Sequence, residues 1–390
     1  MRMLLFSKET LSSFQNVLKK LSIMNVTLPS VSIGRRCAAM LCLLLVTLAA
    51  RAYFDVDGVR YEVINERKAL VEVAAGITYA GDIVIPDTVS NGGKDYSVVS
   101  VADEAFICCS ELLSVQLPAT LTTIGSHAFN WCSRLADIVL PEGLASIGEY
   151  SFCYCDSLAA VTLPAGLSTI GENAFSWSGL KAVEIPEGNV AVGNYAFSHC
   201  ARLTEITLPD GMSAIGDYVF GWCSALPTVS LPEGLSAIGG MAFCNCTSLT
   251  SVLFPSTLQT IGRSAFHGCS SLQSVTIPAS VTTIGTSAFS GCSAITSVTC
   301  EGFVPPVCQG AIFDAAIYRD VPLSVAYGSG DAYRAATGWS NFAIVDDPSA
   351  LLTLPSEQPT VVYDLNGRAL PAADTTLGIY VVNGRKVLVR

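Results

Sequence analysis

Nine phenylalanines, Phe106, Phe129, Phe152, Phe175, Phe197, Phe220, Phe243, Phe266 and Phe289, recur at steps of 23 residues, except for a step of 22 between Phe175 and Phe197. The same frame returns around each of them: A-F-x-x-C-x-x-L-x-x-V-x-L-P-x-x-L-x-x-I-G. One copy reads Ala128-Phe129, Cys132, Leu135, Ile138, Leu140, Pro141, Leu144, Ile147 and Gly148. No single copy has enough chain to bury its own Leu, Val, Ile and Phe. Stacked copies close one continuous core, so nine in register commit the middle of the chain to a repeat solenoid.

The residues of one copy suggest its local shape. Val115 and Leu117, like Val161 and Leu163, stand two apart and face one way from a short strand. Pro118 and its equivalents cannot donate to a ladder and end that strand. The Gly after Ile (Gly125, Gly148, Gly171) marks a turn that resists a bulky side chain. Ala and Cys flank Phe four residues apart, the spacing of one face of a helical turn. Strands stack at about 4.8 Å while helices need about 8–10 Å, so a helical Phe segment would make the strand side concave. In the fourth copy Ser178 replaces Cys, Asn189 replaces Leu and one residue is missing, so a kink or loosened rung is expected there.

With Cys, Pro, Ile-Gly and Ala-Phe all in register, the stretch from Asp82 to Cys300 resembles the BspA-like leucine-rich repeats of bacterial surface proteins. The resemblance implies a leucine-rich-repeat horseshoe, with a parallel β-sheet on one face, short helical turns or loops on the other, and a cap at each end. It also implies adhesion at a cell surface.

Outside the repeats, Gly34-Arg35-Arg36, an apolar run from Cys37 to Ala50 and the small residues of Ala50-Arg51-Ala52 read as a secretory signal over 1–52, with translation starting at Met24. A chain cut after Ala52 carries 14 basic and 31 acidic residues. Residues 53–82 read as an N-terminal β cap, with a hairpin at Asp57-Gly58. The repeats fill 83–300, with Asn91-Gly92-Gly93 as a turn insertion. A C-terminal cap spans 301–347, with a strand at Val321–Val325, a helix over Asp331–Thr337 ended by Gly338, and Trp339 and Phe342 covering the last rung. A proline-marked linker (348–360) leads to a β tail (361–390). Its Tyr363-Asp364, Gly367-Arg368 and Gly378-Ile379-Tyr380 resemble the end of a type IX secretion sorting domain, which would engage the secretion machinery. A plain terminal β-hairpin is the other reading.

Composition narrows the function. Half the residues are apolar and 14% are charged, yet the run Cys37–Ala50 is shorter than the roughly 18 residues of a membrane span. A net charge of −11 without a basic cluster in the main body argues against nucleic acid. The three histidines, His127, His199 and His267, fall out of register with one another, and no catalytic or nucleotide-binding fingerprint occurs. No enzyme activity, cofactor or metal is therefore expected. Eight cysteines (Cys109, Cys132, Cys155, Cys200, Cys223, Cys246, Cys269, Cys292) share one inward slot. Free buried thiols are the first reading, and a disulfide ladder, which export would permit, is the second.

The variable positions carry the recognition information. Two residues after Phe stand Trp131, Tyr154, Trp177, His199 and Trp222; two before stand His127, Tyr150, Tyr195 and Tyr218, with Asn173 interrupting. In the last three copies the later slot holds Asn245, Gly268 and Gly291. The rings either shield the backbone by packing on one another or form a contact face. The outward strand positions Ser114/Gln116, Thr228/Ser230, Ser274/Thr276 and Ser297/Thr299 form a second, hydroxyl-rich face, and no acidic residue occurs between Gly234 and Cys300. The leading expectation is an exported, non-enzymatic, adhesin-like binding protein whose partner is a host or bacterial surface protein. The alternative is a carbohydrate-capturing protein that stacks sugars on the aromatic stripe.

Overall fold

The computed structural model describes residues 53–347 and the backbone of four further strands, Val362–Tyr363, Ala369–Leu370, Gly378–Val382 and Arg385–Val389. The expected signal (1–52) and linker (348–360) lie outside the described residues. From Phe106 onward the chain winds as a succession of short parallel strands and turns, and each Phe defines one rung. One set of strands includes Leu112–Gln116, Asp137–Val139, Ala182–Glu184, Thr228–Ser230 and Ser297–Cys300. Across the core, two-residue strands such as Ser146–Ile147 and Thr260–Ile261 precede each conserved Gly. Pairing is parallel and offset by one repeat, as in Ile147 with Ile170 and Val229 with Val252.

The nine Phe side chains are fully buried and stack face to face, with ring centroids 4.8–5.7 Å apart. Tyr79 continues the column before Phe106 at 4.5 Å, and Phe313 continues it after Phe289 at 5.2 Å. This spacing is close to that of strands, because the Phe segment is a turn and no helix forms within the nine rungs. The helical turn expected from the Ala–Cys spacing is thus replaced. Ala and Cys still point inward, but the residues two before and two after Phe adopt left-handed backbone in every rung, with φ from 53° to 78°.

That conformation re-aims alternate peptide groups along the stacking direction. In the second rung His127 N–H donates to Glu149 O (2.7 Å), Phe129 N–H to Ser151 O (2.7 Å) and Trp131 N–H to Cys153 O (2.9 Å). The same three bonds, always from one rung to the next, recur through the first eight rungs. In the ninth, Ser287 and Phe289 donate to Ala311 O and Ile312 O, and Gly291 N–H meets the Asp314 carboxylate at 2.7 Å.

The cysteine slot fits this turn. Each thiol from the second copy on donates to the Phe carbonyl one rung earlier, as Cys132 Sγ to Phe106 O (3.0 Å) and Cys223 Sγ to Phe197 O (3.3 Å). All thirteen described cysteines are free. Burial pushes the Cys132 thiol up to about 12 and Cys200 up to about 11, so both stay protonated. The Gly after Ile has a different reason from the one expected. A Cβ on Gly148 would lie 2.6 Å from Gly125 C and Ser126 N, so close approach of successive rungs, not an unusual φ, excludes a side chain.

The stack is loosened on both sides of the fourth copy, whose own strands Ala182–Glu184 and Ala191–Val192 form. Its missing residue falls between Ser178 and Leu180, where other copies place two residues and this one has only Gly179. Val161 and Leu163, read as strand residues, lie in an irregular segment instead, tied to the next rung by Lys181 N–H to Ala159 O (3.1 Å). On the other side the two-residue strands break between Ala191–Val192 and Ala214–Ile215. A further gap separates Glu205–Thr207 from Thr228–Ser230, where Pro227 has no N–H at the position from which Thr204 and Thr250 donate.

At the start, Tyr53–Val56 and Val59–Asn65 pair as a hairpin around Asp57 and Gly58, both with positive φ. Lys94–Val101 then joins Leu70–Val73 to Thr123–Ile124. At the end, helix α1 (Ala315–Asp320), strand Leu323–Ala326, helix α2 (Gly330–Ala335) and strand Ile344–Asp347 follow the last rung. Trp339 is fully buried, its Nε1–H donating to Pro306 O at 2.8 Å, and Phe342 packs edge-on against Phe313. Helix α1 and the final strand were not anticipated, since neither carries the repeat frame. In the tail, Gly378–Val382 pairs antiparallel with Arg385–Val389.

Two measurements check this core. Phe197→Ala should cost about 3–5 kcal/mol in urea unfolding, because the ring is closed in by rungs on both sides; a cost below about 1 kcal/mol would contradict the stacked column. Iodoacetamide at pH 8 should label exposed Cys108 in the native protein and reach the eleven buried thiols only after denaturation, with half-buried Cys308 between the two.

Candidate functional site

The left-handed turns decide where the variable side chains go. At both slots flanking Phe the inward direction is taken by Ala, Phe and Cys, so the residues with positive φ project outward. The later slot forms one unbroken ring ladder. Trp131 stacks on Tyr154 at 3.9 Å, Tyr154 on Trp177 at 5.6 Å, Trp177 on His199 at 4.0 Å and His199 on Trp222 at 4.5 Å, all within 14° of parallel. The earlier slot gives two shorter stacks, His127 on Tyr150 (4.8 Å) and Tyr195 on Tyr218 (4.3 Å), separated by Asn173. Tyr218 and Trp222 lie 6.0 Å apart and join the two columns at one end.

Trp131 is 49% exposed and Trp177 44% exposed, while Tyr154, His199, Trp222, Tyr150, Tyr195 and Tyr218 are half-buried. The rings therefore do both things considered for them: they pack on one another, and they leave their outer edges in water. Their faces are largely occupied by neighbours, so a sugar chain laid flat along all five rings finds edges, not faces. His199 Nδ1 shares a hydrogen bond with Ser198 Oγ (2.9 Å), and burial lowers its pKa, which holds the ring neutral between two indoles. His127 Nδ1 pairs with Asn130 Nδ2 at 2.9 Å.

These aromatic residues sit in a costly conformation. A left-handed backbone costs a non-glycine residue about 1–2 kcal/mol, least for Asn. Copies seven to nine fill the later slot with Asn245, Gly268 and Gly291, the residues that adopt it most readily. Copies two to six place Trp, Tyr or His there instead. Each ring stack returns about 0.5–1.5 kcal/mol, so the ladder roughly offsets its own strain.

The strand face is the second candidate. Thr228, Ser230, Ser274, Thr276 and Ser297 are exposed, and their side-chain hydroxyls make no hydrogen bond to another described residue. It is less uniformly polar than expected, since Leu253 and Val139 protrude from the same strands. Many other hydroxyls are already engaged as inter-rung ties, as in Thr204 Oγ1 to Lys181 O (3.1 Å) and Ser236 Oγ to Ser213 O (2.9 Å). Among the described residues, no group of three or more His, Cys, Asp or Glu is arranged to hold a metal ion.

The chain matches the model of the BspA type leucine rich repeat region over residues 94–203 and 190–313, in six copies. A leucine-rich repeat protein from Bacteroides ovatus has a similar structure, with 24% identity over 77% of this chain and 89% of its own, and a TM-score of 0.58. A leucine rich repeat protein of T. pallidum is 32% identical over 51% of this chain and 92% of its own, with a TM-score of 0.47. A leucine rich cell surface protein from Faecalibacterium prausnitzii is 24% identical over 64% of this chain and 89% of its own, with a TM-score of 0.36. A search among curated proteins gave no match. With the repeat matched across more than half its length, and with the repeat's Phe, Cys and Ile-Gly positions forming the core of the stack, the chain belongs to the BspA-type leucine-rich repeat family.

Proposed function

We propose that this protein is an exported, non-enzymatic interaction scaffold at the cell surface, adhesin-like, and that it meets a protein partner with the outer edge of the ring ladder. The observation that carries the reading is the choice of residue at the left-handed slots. Where Asn or Gly would serve the fold more cheaply, five successive rungs carry Trp131, Tyr154, Trp177, His199 and Trp222, and two of these indoles keep nearly half their surface in water. Tyr150, Tyr195 and Tyr218 widen the strip on its earlier side. Rigid amphipathic rings lose little entropy on docking and dominate contact energies at protein interfaces. Export is supported by the basic-then-apolar segment ending at Ala52, and a surface location by the adhesion that the repeat family implies. The C-terminal strands are proposed as the segment handled by the secretion machinery.

The test uses residues that the fold itself tolerates. Trp131→Asn and Trp177→Asn place at these slots the residue already present at position 245. Each removes ring stacking but relieves backbone strain, so melting temperatures should stay within a few degrees of the parent. Binding to a surface-protein partner should weaken by about tenfold or more per indole. A large loss of stability would assign the rings to the core; unchanged binding would move the contact to the Ser/Thr-rich strand face.

A further inference from the structure

The one-residue deletion in the fourth rung does more than interrupt the sheets. Every other rung carries two residues between its Cys slot and the next Leu, while this rung carries only Gly179. The neighbouring rungs keep theirs, Asp156-Ser157 on one side and Ala201-Arg202 on the other. A notch of about 340 Å³ opens between them, lined by Asp156, Trp177, Ser178, Gly179, His199 and Arg202. Gly179 itself is pressed against the preceding rung, where a Cβ would lie 2.1 Å from Asp156 O. One wall is the indole of Trp177, which is 44% exposed although Tyr154 and His199 stack on its two faces. Asp156 and Arg202 are exposed, and no ion pair joins them to each other or to any other described residue.

We infer that this notch is a binding subsite for one neutral sugar residue of a glycan; it shares Trp177 and His199 with the protein-contact strip and adds Asp156 and Arg202, which lie outside it. Three features converge on that chemistry. The lining sums to zero charge yet offers a bidentate acceptor (Asp156), a bidentate donor (Arg202) and a neutral imidazole (His199), which suits vicinal hydroxyls. The partly exposed indole of Trp177 supplies an apolar edge against which the sugar's C–H groups can pack. The space lies at the small end of ligand-pocket sizes, enough for one ring and not for a chain. A zwitterion would also match opposite charges on opposite walls. However, exposed ion pairs contribute little because water and salt screen them, whereas hydroxyls bond the same groups without stripping either charge.

The experiment is saturation-transfer NMR on the signal-free chain with a panel of neutral methyl hexosides and methyl N-acetylhexosaminides, alongside free zwitterionic amino acids. Two variants isolate the notch. Inserting one Ser between Ser178 and Gly179 restores the 23-residue rung and fills the space; Asp156→Asn combined with Arg202→Ala keeps the space but removes its polar walls. At least one glycoside should bind the parent, with affinity falling about tenfold or more in both variants. Trp131→Asn, two rungs away, should leave it unchanged. The insertion should not lower the melting temperature, since it recreates the rung found eight times elsewhere. The inference is overturned if no glycoside binds, if binding survives the insertion, or if the amino acids are preferred. Loss of sugar binding with the ladder's protein contact intact would separate the two surfaces.

Discussion

Everything in the repeat region hangs on the peptide ladder of the Phe turns. Both strand sets are interrupted around the shortened fourth rung, and the longer strands again at Pro227 and before Ser274–Ile277, yet the turn hydrogen bonds run from rung to rung without a gap, the last of them to the Asp314 carboxylate. An α-helix would spend those N–H groups within its own rung and force the rungs about 8–10 Å apart. By spending them between rungs, the turn keeps the same rise as a strand. The Phe rings can then stack at about 5 Å, the thiols can reach the carbonyl one rung back, and Gly can press against the preceding backbone.

The cost of that ladder is conformational, and it explains the surface. Two residues in each rung must hold a positive φ, and those two point outward. The family frame leaves them free in identity, so they are the positions at which a stack can acquire chemistry without touching its core. In the middle rungs the cost is met by ring-on-ring contact; toward the C-terminus it is avoided with Asn and Gly. The aromatic strip therefore ends where the residue choice changes, although the fold continues for three more rungs.

Much of this was legible in the amino-acid sequence, for particular reasons. The 23-residue recurrence of Phe, Cys and Ile-Gly required a stacked core because those residues are apolar and fixed in register. Trp339 and Phe342 could be placed over the last rung because the repeat stops before them. The Ala–Cys spacing misled, because four residues separate two inward positions in this turn as well as in a helix. The left-handed slots were hidden behind Trp, Tyr and His, residues that rarely adopt such backbone; Asn245, Gly268 and Gly291 in the same register were the signal that pointed to it. The missing residue near Gly179 was visible, but the notch it opens depends on side chains two rungs apart, which no single copy displays.

The direction of the turn ladder has an electrical consequence. Nine rungs of peptide groups point the same way in three parallel columns, N–H toward the C-terminal end and C=O toward the N-terminal end. Each peptide carries a dipole of about 3.5 D, and aligned in series they add as they do along a helix axis. This edge of the protein is thus a polar rod, with its negative pole at the carbonyls of Asp103, Ala105 and Ile107, which accept no backbone hydrogen bond from the described residues. At the positive pole the chain places Asp314, whose carboxylate accepts from Gly291 N–H and Ser290 Oγ. A cap residue outside the repeat frame thereby neutralises a field that the repeats generate collectively, and the ladder ends on a charge of the sign its polarity calls for.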